Sequence, residues 1–350
     1  MFPRITAAKC HLGAGSWPRL WITRAEGGRS GKTGPMRRAP LPLHLTAGSF
    51  SLRASDKAGV TRTRTAARDL VTVSRGIRVP IGSAATGAAA LRAYTDLDDE
   101  SILSLGSAAR LWNAPLPGRH EADWRIHLAR RRGSSMPRRA NVVGHLLTLL
   151  PDEVVEFDGV RLTSPARTWL DLAPLLSVDE LVAVGDSLVC SHGPEHPYPR
   201  RALCGITDLE QMVVRHPGVR GVRKARAAVG LIRVGADSAP ETQMRLALVR
   251  AGLPEPELNH VVRGAATWGG DGAPVLWPDA AYQQWRLALQ YEGAHHNGEE
   301  QYLRDIRRAD TTARLGWSEL RVSRLDLAGD RPGVVRKVRA ALESRGWRAK

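Results

Sequence analysis

The stretch LWPDAAYQQWRLALQYEG, residues 276–293, constrains the fold of this chain more than any other segment. It contains two short apolar runs on either side of Gln283–Trp285, and apolar and polar side chains alternate along the second run. Side chains alternate between the two faces of a strand. We therefore expect Leu287, Leu289 and Tyr291 on one face of the second strand and Ala288, Gln290 and Glu292 on the other. The pattern predicts a β-hairpin that returns Asp279 to the side of Gln290 and Glu292.

Two acids of this hairpin, Asp279 and Glu292, are predicted to meet on its polar side, where Gly293 leaves room for a ligand. Carboxylates that lie close together repel each other, and a divalent cation with oxygen ligands relieves that repulsion. Mg²⁺ or Mn²⁺ bound there could activate a water molecule. The hairpin therefore predicts a metal site; the alternative is that these acids lie on a solvated face of the sheet.

A third acid, Glu241, lies on the helix predicted for SAPETQMRLALVRAGL. Glu241 follows Ser238 by three residues, which is the spacing of a capping box, so capping is one explanation for this acid. It also shares a helix face with Met244 and Leu248, so its side chain is expected to be buried and directed at the neighbouring sheet. The two explanations are compatible.

Further regular segments follow in the C-terminal third of the chain. A strand is predicted around ELNHVV, a helix over residues 297–315, a strand at ELRVSRLDL and a final helix from residue 330. Together with the helix of Glu241 and the hairpin, these segments have the order αβββαβα. This order predicts a domain over residues 237–350 whose sheet carries Asp279 and Glu292.

The chain has 350 residues and a formal net charge of +16. Part of this charge lies in residues 1–40, where eight Lys and Arg residues face a single acid, Glu26. That segment is rich in Gly, Arg and Pro without periodicity, which predicts a disordered basic tail. A basic surface favours a polyanionic partner, most simply nucleic acid; the alternative is that the charge provides only solubility.

The three cysteines, Cys10, Cys190 and Cys204, are far apart and form no C-x-x-C pair. They predict neither a disulfide framework nor a structural zinc site, and they favour a reducing cytoplasm. His192 and His196 lie in a loop rich in Pro and Gly, so we predict that they do not bind metal. No apolar run reaches the length of a membrane helix and no secretory signal is predicted, so no membrane partner is expected.

Residues 41–85 contain the pattern FSLRASDKAGVTRTRTAARDLVTVSRGIRVP. It predicts a helix capped by Ser51, a turn at Gly59, a second helix over residues 61–68 and a closing hairpin. This order is typical of a winged helix-turn-helix module, whose second helix enters the major groove of DNA. The side chains predicted to contact DNA are Arg62, Arg64 and Arg68. The alternative is a small packing module whose arginines are solvated.

Residues 86–200 mix strand and helix patterns, which predicts an α/β middle domain. VVEFDGVRL predicts a strand pair around Asp158-Gly159, TSPARTWLDLA a helix capped by Ser164, and SVDELVAVGDSLV a helix with a capping box. No catalytic constellation is evident in this region. Residues 201–236 are predicted to be a helical linker, so the whole chain is predicted to be a multi-domain protein of α+β and α/β parts.

The order of the C-terminal elements and the acids of the hairpin resemble the PD-(D/E)XK nuclease superfamily. More narrowly, residues 237–327 resemble the very-short-patch-repair-like domains of unknown function common in actinobacteria, in the segments QYEGAHH, LRDIRRAD and RLGW. In the N-terminal two-thirds, SRGIRVP and LTSPARTWLDLA resemble the winged-helix region of abortive-infection antitoxins. The resemblance implies an αβββαβ restriction-endonuclease-like core within residues 237–350.

Carried over to this chain, the resemblance implies that Glu241, Asp279 and Glu292 hold the metal. It places Gln290 where the superfamily has an acid and Glu292 where it has a lysine, so one negative charge and one cation are missing. His295 or His296 could act as general base or proton donor, and ordinary hydrogen bonding is the alternative. Side chains of the next helix that could hold phosphates, or form a solvated face, are Arg304, Arg307 and Arg308.

Three functional hypotheses follow from these features. The leading one is a DNA-binding protein with an endonuclease-like domain that uses Mg²⁺ or Mn²⁺ to hydrolyse phosphodiester bonds. The second is a catalytically impaired, DNA-binding transcriptional regulator of the antitoxin type. The third, RNA processing, is compatible with the same residues, and no oligomeric state is predicted.

Overall fold

The computed structural model describes residues 4–5, 38–264, 274–293, 309–329 and 333–349. The chain divides into two compact units, Met1–Leu172 and Ala173–Lys350. Both units combine helices with sheets, which confirms the predicted mixed α/β class. The predicted middle domain, residues 86–200, contributes to both units. Among the described residues, no helix is long and apolar enough to cross a membrane.

A short strand close to the N-terminus belongs to the first unit. β1, Arg4–Ile5, runs parallel to a later strand of the same unit, with Arg4 opposite Glu156 and Ile5 opposite Phe157. These two residues lie within the segment predicted to be a disordered tail, and their backbone pairs with the sheet. The other residues before position 38 lie outside the described residues.

Short helices and a hairpin occupy the segment predicted as a winged helix-turn-helix. Its elements are α1 (Leu43–Thr46), β2 (Phe50–Ser51), α2 (Leu52–Lys57), α3 (Arg62–Thr65), β3 (Leu70–Ser74) and β4 (Ile77–Pro80). As predicted, Ser51 caps α2, and its hydroxyl accepts a hydrogen bond from the Ala54 N–H at 3.0 Å. The second helix is shorter than predicted, because turns replace helix between Thr65 and Leu70. The three strands form a sheet of order β2-β4-β3.

A six-stranded mixed sheet forms the centre of the first unit. Its remaining elements are α4 (Gly87–Asp96), β5 (Ile102–Leu103), α5 (Leu105–Leu111), α6 (Gly118–Glu121), β6 (Ile126–Arg131), β7 (Val142–Leu147), β8 (Val154–Phe157), β9 (Val160–Thr163) and α7 (Pro165–Leu172). The strand order is β1-β8-β9-β5-β6-β7. The predicted turn joins β8 to β9, and its two residues, Asp158 and Gly159, have φ values of 48° and 75°, as a tight hairpin turn with the strand twist requires.

Helices begin the second unit. They are α8 (Val178–Val189), α9 (Ile206–Arg215), α10 (Val222–Val229) and α11 (Ala239–Arg250). The predicted capping box of α8 is present, because Ser177 and Glu180 each accept a hydrogen bond from the other's backbone N–H. The segment predicted as a linker contains α9 and α10, which pack against α8 through buried residues such as Leu209 and Ala225.

The remaining described elements of the second unit surround the hairpin. They are β10 (Val262–Arg263), β11 (Pro274–Leu276), β12 (Ala280–Tyr282), β13 (Leu287–Glu292), β14 (Ser318–Ser323) and α12 (Gly333–Ser344). β12 and β13 form the predicted antiparallel hairpin around the 3₁₀ turn Gln283–Trp285, and β14 runs parallel to β13. The predicted parity of β13 is confirmed: Leu287 and Leu289 lie in one apolar cluster with Met244 of α11 and Val338 of α12.

A buried ion pair connects α8 to α11. The Arg245 guanidinium donates a hydrogen bond of 2.9 Å to Asp186, and these two side chains are 2% and 0% exposed. Asp186 also accepts hydrogen bonds from the Thr242 hydroxyl and from the Arg233 N–H. Burial raises the pKa of Asp186, and the charge of Arg245 opposes that shift. The two helices are thus held together by a carboxylate whose solvation has been replaced by three protein donors.

Arg245→Met tests how much this ion pair contributes. Removal of the guanidinium leaves Asp186 buried without its cation, so we expect a loss of about 3–5 kcal/mol in the free energy of unfolding. The matched control is Arg250→Met on the same helix, where the arginine pairs with Asp179 at an exposed position. We expect the control to lose less than about 1 kcal/mol in urea denaturation. Equal losses in the two variants would contradict this role for the ion pair.

Candidate functional site

Glu241 occupies the first turn of α11 and is 8% exposed. One carboxylate oxygen accepts a hydrogen bond from the Asp237 N–H at 2.8 Å, and the other accepts one from the Ser238 hydroxyl at 2.7 Å. Ser238 is the N-cap residue, but its hydroxyl donates to Glu241 instead of capping the backbone. The predicted capping box is therefore not formed, because Glu241 accepts from the N–H of Asp237 and not from that of the N-cap residue Ser238. The predicted burial of Glu241 beside Met244 is confirmed.

Asp279 lies immediately before β12, where the chain enters the hairpin. Its carboxylate accepts a hydrogen bond from the Gln290 side-chain amide at 2.9 Å and another from the Tyr291 N–H at 2.6 Å. The alternation along β13 places Gln290 on this side, as predicted. The hairpin thus fixes both oxygens of Asp279 in position.

The structure brings Asp279 into the electrostatic field of Glu241. Burial and, to a smaller extent, the negative charge of Asp279 together raise the pKa of the Glu241 carboxyl to about 8. The hydrogen bonds from Ser238 and Asp237 oppose this shift. Two of the three predicted metal ligands therefore interact, and a cation between them would oppose the shift by favouring both charged carboxylates.

Glu292, the third predicted metal ligand, is not brought to this pair. Glu292 lies at the end of β13 and forms an ion pair of 2.6 Å with Arg321 of β14. Glu241, Asp279 and Glu292 are described residues, and they do not form a group with one ligand atom each within 4.8 Å of the others. Five predicted residues lie outside the part of the chain that the structure describes: His295, His296, Arg304, Arg307 and Arg308.

The arginines predicted to contact DNA differ in their surroundings. Arg64 is 10% exposed and forms an ion pair with Asp69 at 2.8 Å, so a phosphate contact would require this pair to break. Arg62 pairs with Asp56 at 2.5 Å but stays exposed. Arg68 is also exposed, in the turn after α3. Two of the three side chains are thus accessible, and their contact with DNA stays a prediction.

A second cluster of functional side chains lies next to Glu241. Cys190 follows the last residue of α8, His192 is two residues further on, and Asp237 precedes α11. One ligand atom from each of these residues lies within 4.8 Å of the other two. The backbone N–H of Asp237 is the donor to Glu241, so the cluster and the carboxylate pair are adjacent.

A cavity of about 350 Å³ adjoins this cluster and is lined in part by His192, His196, Asn259 and Trp277. The rings of His192 and His196 stack with a centroid distance of 3.9 Å. The Trp277 indole N–H and His192 Nδ1 are buried and have no hydrogen-bond partner among the described residues. Such orphaned polar atoms at a cavity are expected where a polar ligand or water binds.

That His192 and His196 do not bind metal stays a prediction, but His192 belongs to a group of three side chains that could hold an ion. Cys190 and His192 are close in sequence, but Asp237 is 45 residues away and carries no motif. The only local signal is a cysteine and a histidine two residues apart at the end of a well-capped helix. That spacing alone does not indicate a ligand set, because the third residue, Asp237, comes close only when α11 packs against α8.

The raised pKa of Glu241 gives a prediction about stability in metal-free buffer. An unfolded glutamate titrates near 4.5 and the folded one near 8, so between these values the folded state holds a proton that the unfolded state releases. The free energy of unfolding should therefore fall as the pH rises through this window. In Glu241→Gln the free energy of unfolding should not fall with pH in this window. In the exposed control Glu343→Gln it should fall as much as in the wild type. Thermal unfolding between about pH 5 and pH 9 measures it, and equal slopes in all three proteins would contradict the assignment.

Two proteins of Mycobacterium tuberculosis are similar to part of this chain. They are the uncharacterized protein MT2308 of strain CDC 1551 / Oshkosh and the uncharacterized protein Rv2248 of strain ATCC 25618 / H37Rv. Each is 31% identical over 159 residues, which is 45% of this chain and 52% of the relative. The chain thus spans about half the length of the curated relatives it matches. No family model matches the chain, and no solved structure matches it.

Proposed function

We propose that this chain is a DNA-binding protein whose C-terminal region uses Mg²⁺ or Mn²⁺ to hydrolyse phosphodiester bonds. The observation that carries the proposal is the pair Glu241 and Asp279, one on a buried helix end and one at the start of the hairpin. A buried carboxylate whose pKa is raised to about 8 by burial and by a second acid is poised to bind a cation. Oxygen ligands of this kind suit Mg²⁺ and Mn²⁺.

The arrangement of the surrounding elements supports a restriction-endonuclease-like core. α11 carries Glu241, the β12–β13 hairpin carries Asp279, and β14 extends the sheet in parallel to β13. In the proposed site, Glu241 and Asp279 hold the ion, and Gln290 positions Asp279 through its amide. When bound, the ion would supply Lewis-acid chemistry at the phosphate, and Glu241 and Asp279 would hold it there.

The first unit is proposed to position the DNA. Near its N-terminal end, β2 precedes the short helices α2 and α3, and β3 and β4 follow them. This succession, with the strand order β2-β4-β3, is the one expected of a winged helix-turn-helix. The exposed Arg62 and Arg68 would then contact phosphates, and the net charge of +16 adds a sequence-independent attraction. We place the protein in the reducing cytoplasm, in accord with the free thiols of Cys190 and Cys204.

One observation favours the second candidate, a DNA-binding regulator without nuclease activity. Both oxygens of Asp279 already accept hydrogen bonds, from Gln290 and from the Tyr291 N–H. Gln290 offers the ion an amide oxygen but no negative charge, which weakens binding of a hard cation. The same geometry therefore fits an inherited site that positions the hairpin and no longer cleaves.

Cleavage assays distinguish the two candidates. We expect the wild type to cut supercoiled plasmid or duplex oligonucleotides when Mg²⁺ or Mn²⁺ is added, with RNA of the same sequence as a parallel substrate. Glu241→Gln and Asp279→Asn should each reduce the rate by about 100-fold or more, because each removes a charged ligand. Glu343→Gln, an exposed acid on α12, should cleave like the wild type. If the wild type retards duplex DNA but cuts nothing with either metal, the regulator is the correct candidate.

Gln290→Glu tests the part played by the missing acid. The new carboxylate adds a third negative charge beside Asp279, so the affinity for Mg²⁺ should rise by at least about tenfold. Gln284→Glu makes the same substitution at an exposed position in the hairpin turn and should leave the affinity unchanged. Calorimetric titration with Mg²⁺ measures both variants. If the two variants bind Mg²⁺ equally, the ion does not lie at Asp279.

A further inference from the structure

Three donor atoms of different chemistry converge on one point in the cluster of Cys190, His192 and Asp237. Cys190 Sγ lies 3.5 Å from His192 Nε2 and 3.2 Å from one oxygen of Asp237. His192 Nε2 lies 2.7 Å from the other oxygen of Asp237. All three contacts fall within the second unit, and Cys190 is buried.

Cys190 and Asp237 both contact the same ring nitrogen of His192, and this determines the chemistry of which the cluster is capable. In a nucleophile–histidine–acid relay, the nucleophile contacts one nitrogen of the imidazole and the acid contacts the other. Here Nε2 of His192 faces both Cys190 and Asp237, while Nδ1 has no partner among the described residues. The His192 side chain is 3% exposed, so its position is set by packing. Three donors directed at one point form a ligand set and not a proton relay.

The distances agree with a tetrahedral ion. With Zn–S of about 2.3 Å and Zn–N and Zn–O of about 2.0 Å, ligand atoms at tetrahedral angles lie roughly 3.3–3.6 Å apart. The two distances from Cys190 Sγ, 3.5 Å and 3.2 Å, are already close to these values. Because Cys190 and His192 contact different oxygens of Asp237, the carboxylate must turn to direct one oxygen at the ion. The contact of 2.7 Å between His192 and Asp237 must also lengthen, by roughly 0.6 Å.

The backbone around the cluster holds the ligands before any ion binds. His192 and Arg200 exchange backbone hydrogen bonds, which closes the loop between them, and the Asn259 side chain donates to the Ser191 carbonyl. The Arg200 guanidinium contacts Asp237 at 3.3 Å and the Ser187 carbonyl at 2.6 Å. Arg200 therefore balances the charge of Asp237 in the metal-free protein and restrains its carboxylate.

We propose that Cys190, His192 and Asp237 form a zinc site with three protein ligands. A thiolate and an imidazole select a borderline-soft ion such as Zn²⁺ over the hard Mg²⁺. Solvent reaches the cluster at Asp237, whose side chain is 44% exposed, so a water molecule supplies the fourth ligand. When the ion binds, the Sγ–H bond of Cys190 breaks, its proton leaves to solvent, and an Sγ–Zn bond forms.

Zinc at this position would join the end of α8 to the start of α11. Asp237 is a ligand through its side chain and a donor to Glu241 through its backbone, so the ion also restrains the turn that carries Glu241. The zinc site nevertheless uses none of the proposed Mg²⁺ ligands. It can therefore be present in a protein with no nuclease activity.

Metal titration of the full-length protein tests the proposal. After chelator treatment and dialysis, the wild type should bind one Zn²⁺ per chain in competition with a chromogenic chelator. Cys190→Ser and His192→Ala should each lose this binding by at least 100-fold, roughly the effect of removing one ligand. Cys204→Ser changes another thiol of the same unit that is not part of the cluster, and it should bind like the wild type. Metal-free unfolding curves show whether each variant is folded.

Cobalt provides a readout that does not depend on stability or on activity. Co²⁺ bound to the wild type should show a thiolate-to-cobalt charge-transfer band and the strong visible bands of a tetrahedral ion, and both should be absent in Cys190→Ser. Asp279→Asn should retain Zn²⁺ and these bands, which separates this proposal from the nuclease site. The proposal is overturned if the folded wild type binds no Zn²⁺, or if folded Cys190→Ser binds it as tightly.

Discussion

The buried pair of Asp186 and Arg245 determines where the chemical groups of the second unit meet. It joins the last turn of α8 to the middle of α11, and the Thr242 hydroxyl adds a second bond between the same helices. Cys190 lies four residues beyond Asp186, and Glu241 lies four residues before Arg245. The ion pair therefore lies about one helical turn from Cys190 and about one helical turn from Glu241. A charge buried so completely tolerates little displacement, because it would lose donors that water cannot replace.

Two ligand sets of different chemistry lie on either side of the first turn of α11. Glu241 and Asp279 offer only oxygens, and the negative charge of Asp279 helps to raise the pKa of Glu241. Cys190, His192 and Asp237 offer sulfur, nitrogen and oxygen, and Arg200 already balances part of their charge. Because the first set has hard donors and the second has softer ones, Mg²⁺ is expected to bind the first and Zn²⁺ the second. The Asp237 N–H connects the two sets, since it is bonded to Glu241.

Some features of this arrangement could be predicted from local patterns. The period of two along β13 placed Gln290 on the side of Asp279, and the period of a helix placed Glu241 among apolar neighbours; both predictions are confirmed. The ion pair of Glu292 with Arg321 depends instead on the register of β13 against β14, which no alternation specifies. The length of α3 was overestimated, because an arginine-rich pattern does not show that turns follow Thr65.

Local periodicity thus specifies which side of its own strand or helix each residue occupies, since that depends only on backbone geometry. It also specifies caps and turns, such as Ser177 on α8 and the turn at Asp158. It does not specify which helix becomes the neighbour of another, because that choice depends on burial and pairing between residues far apart in the chain. The meeting of Cys190 with Asp237, 47 residues later, was decided in this way by the packing of α8 against α11.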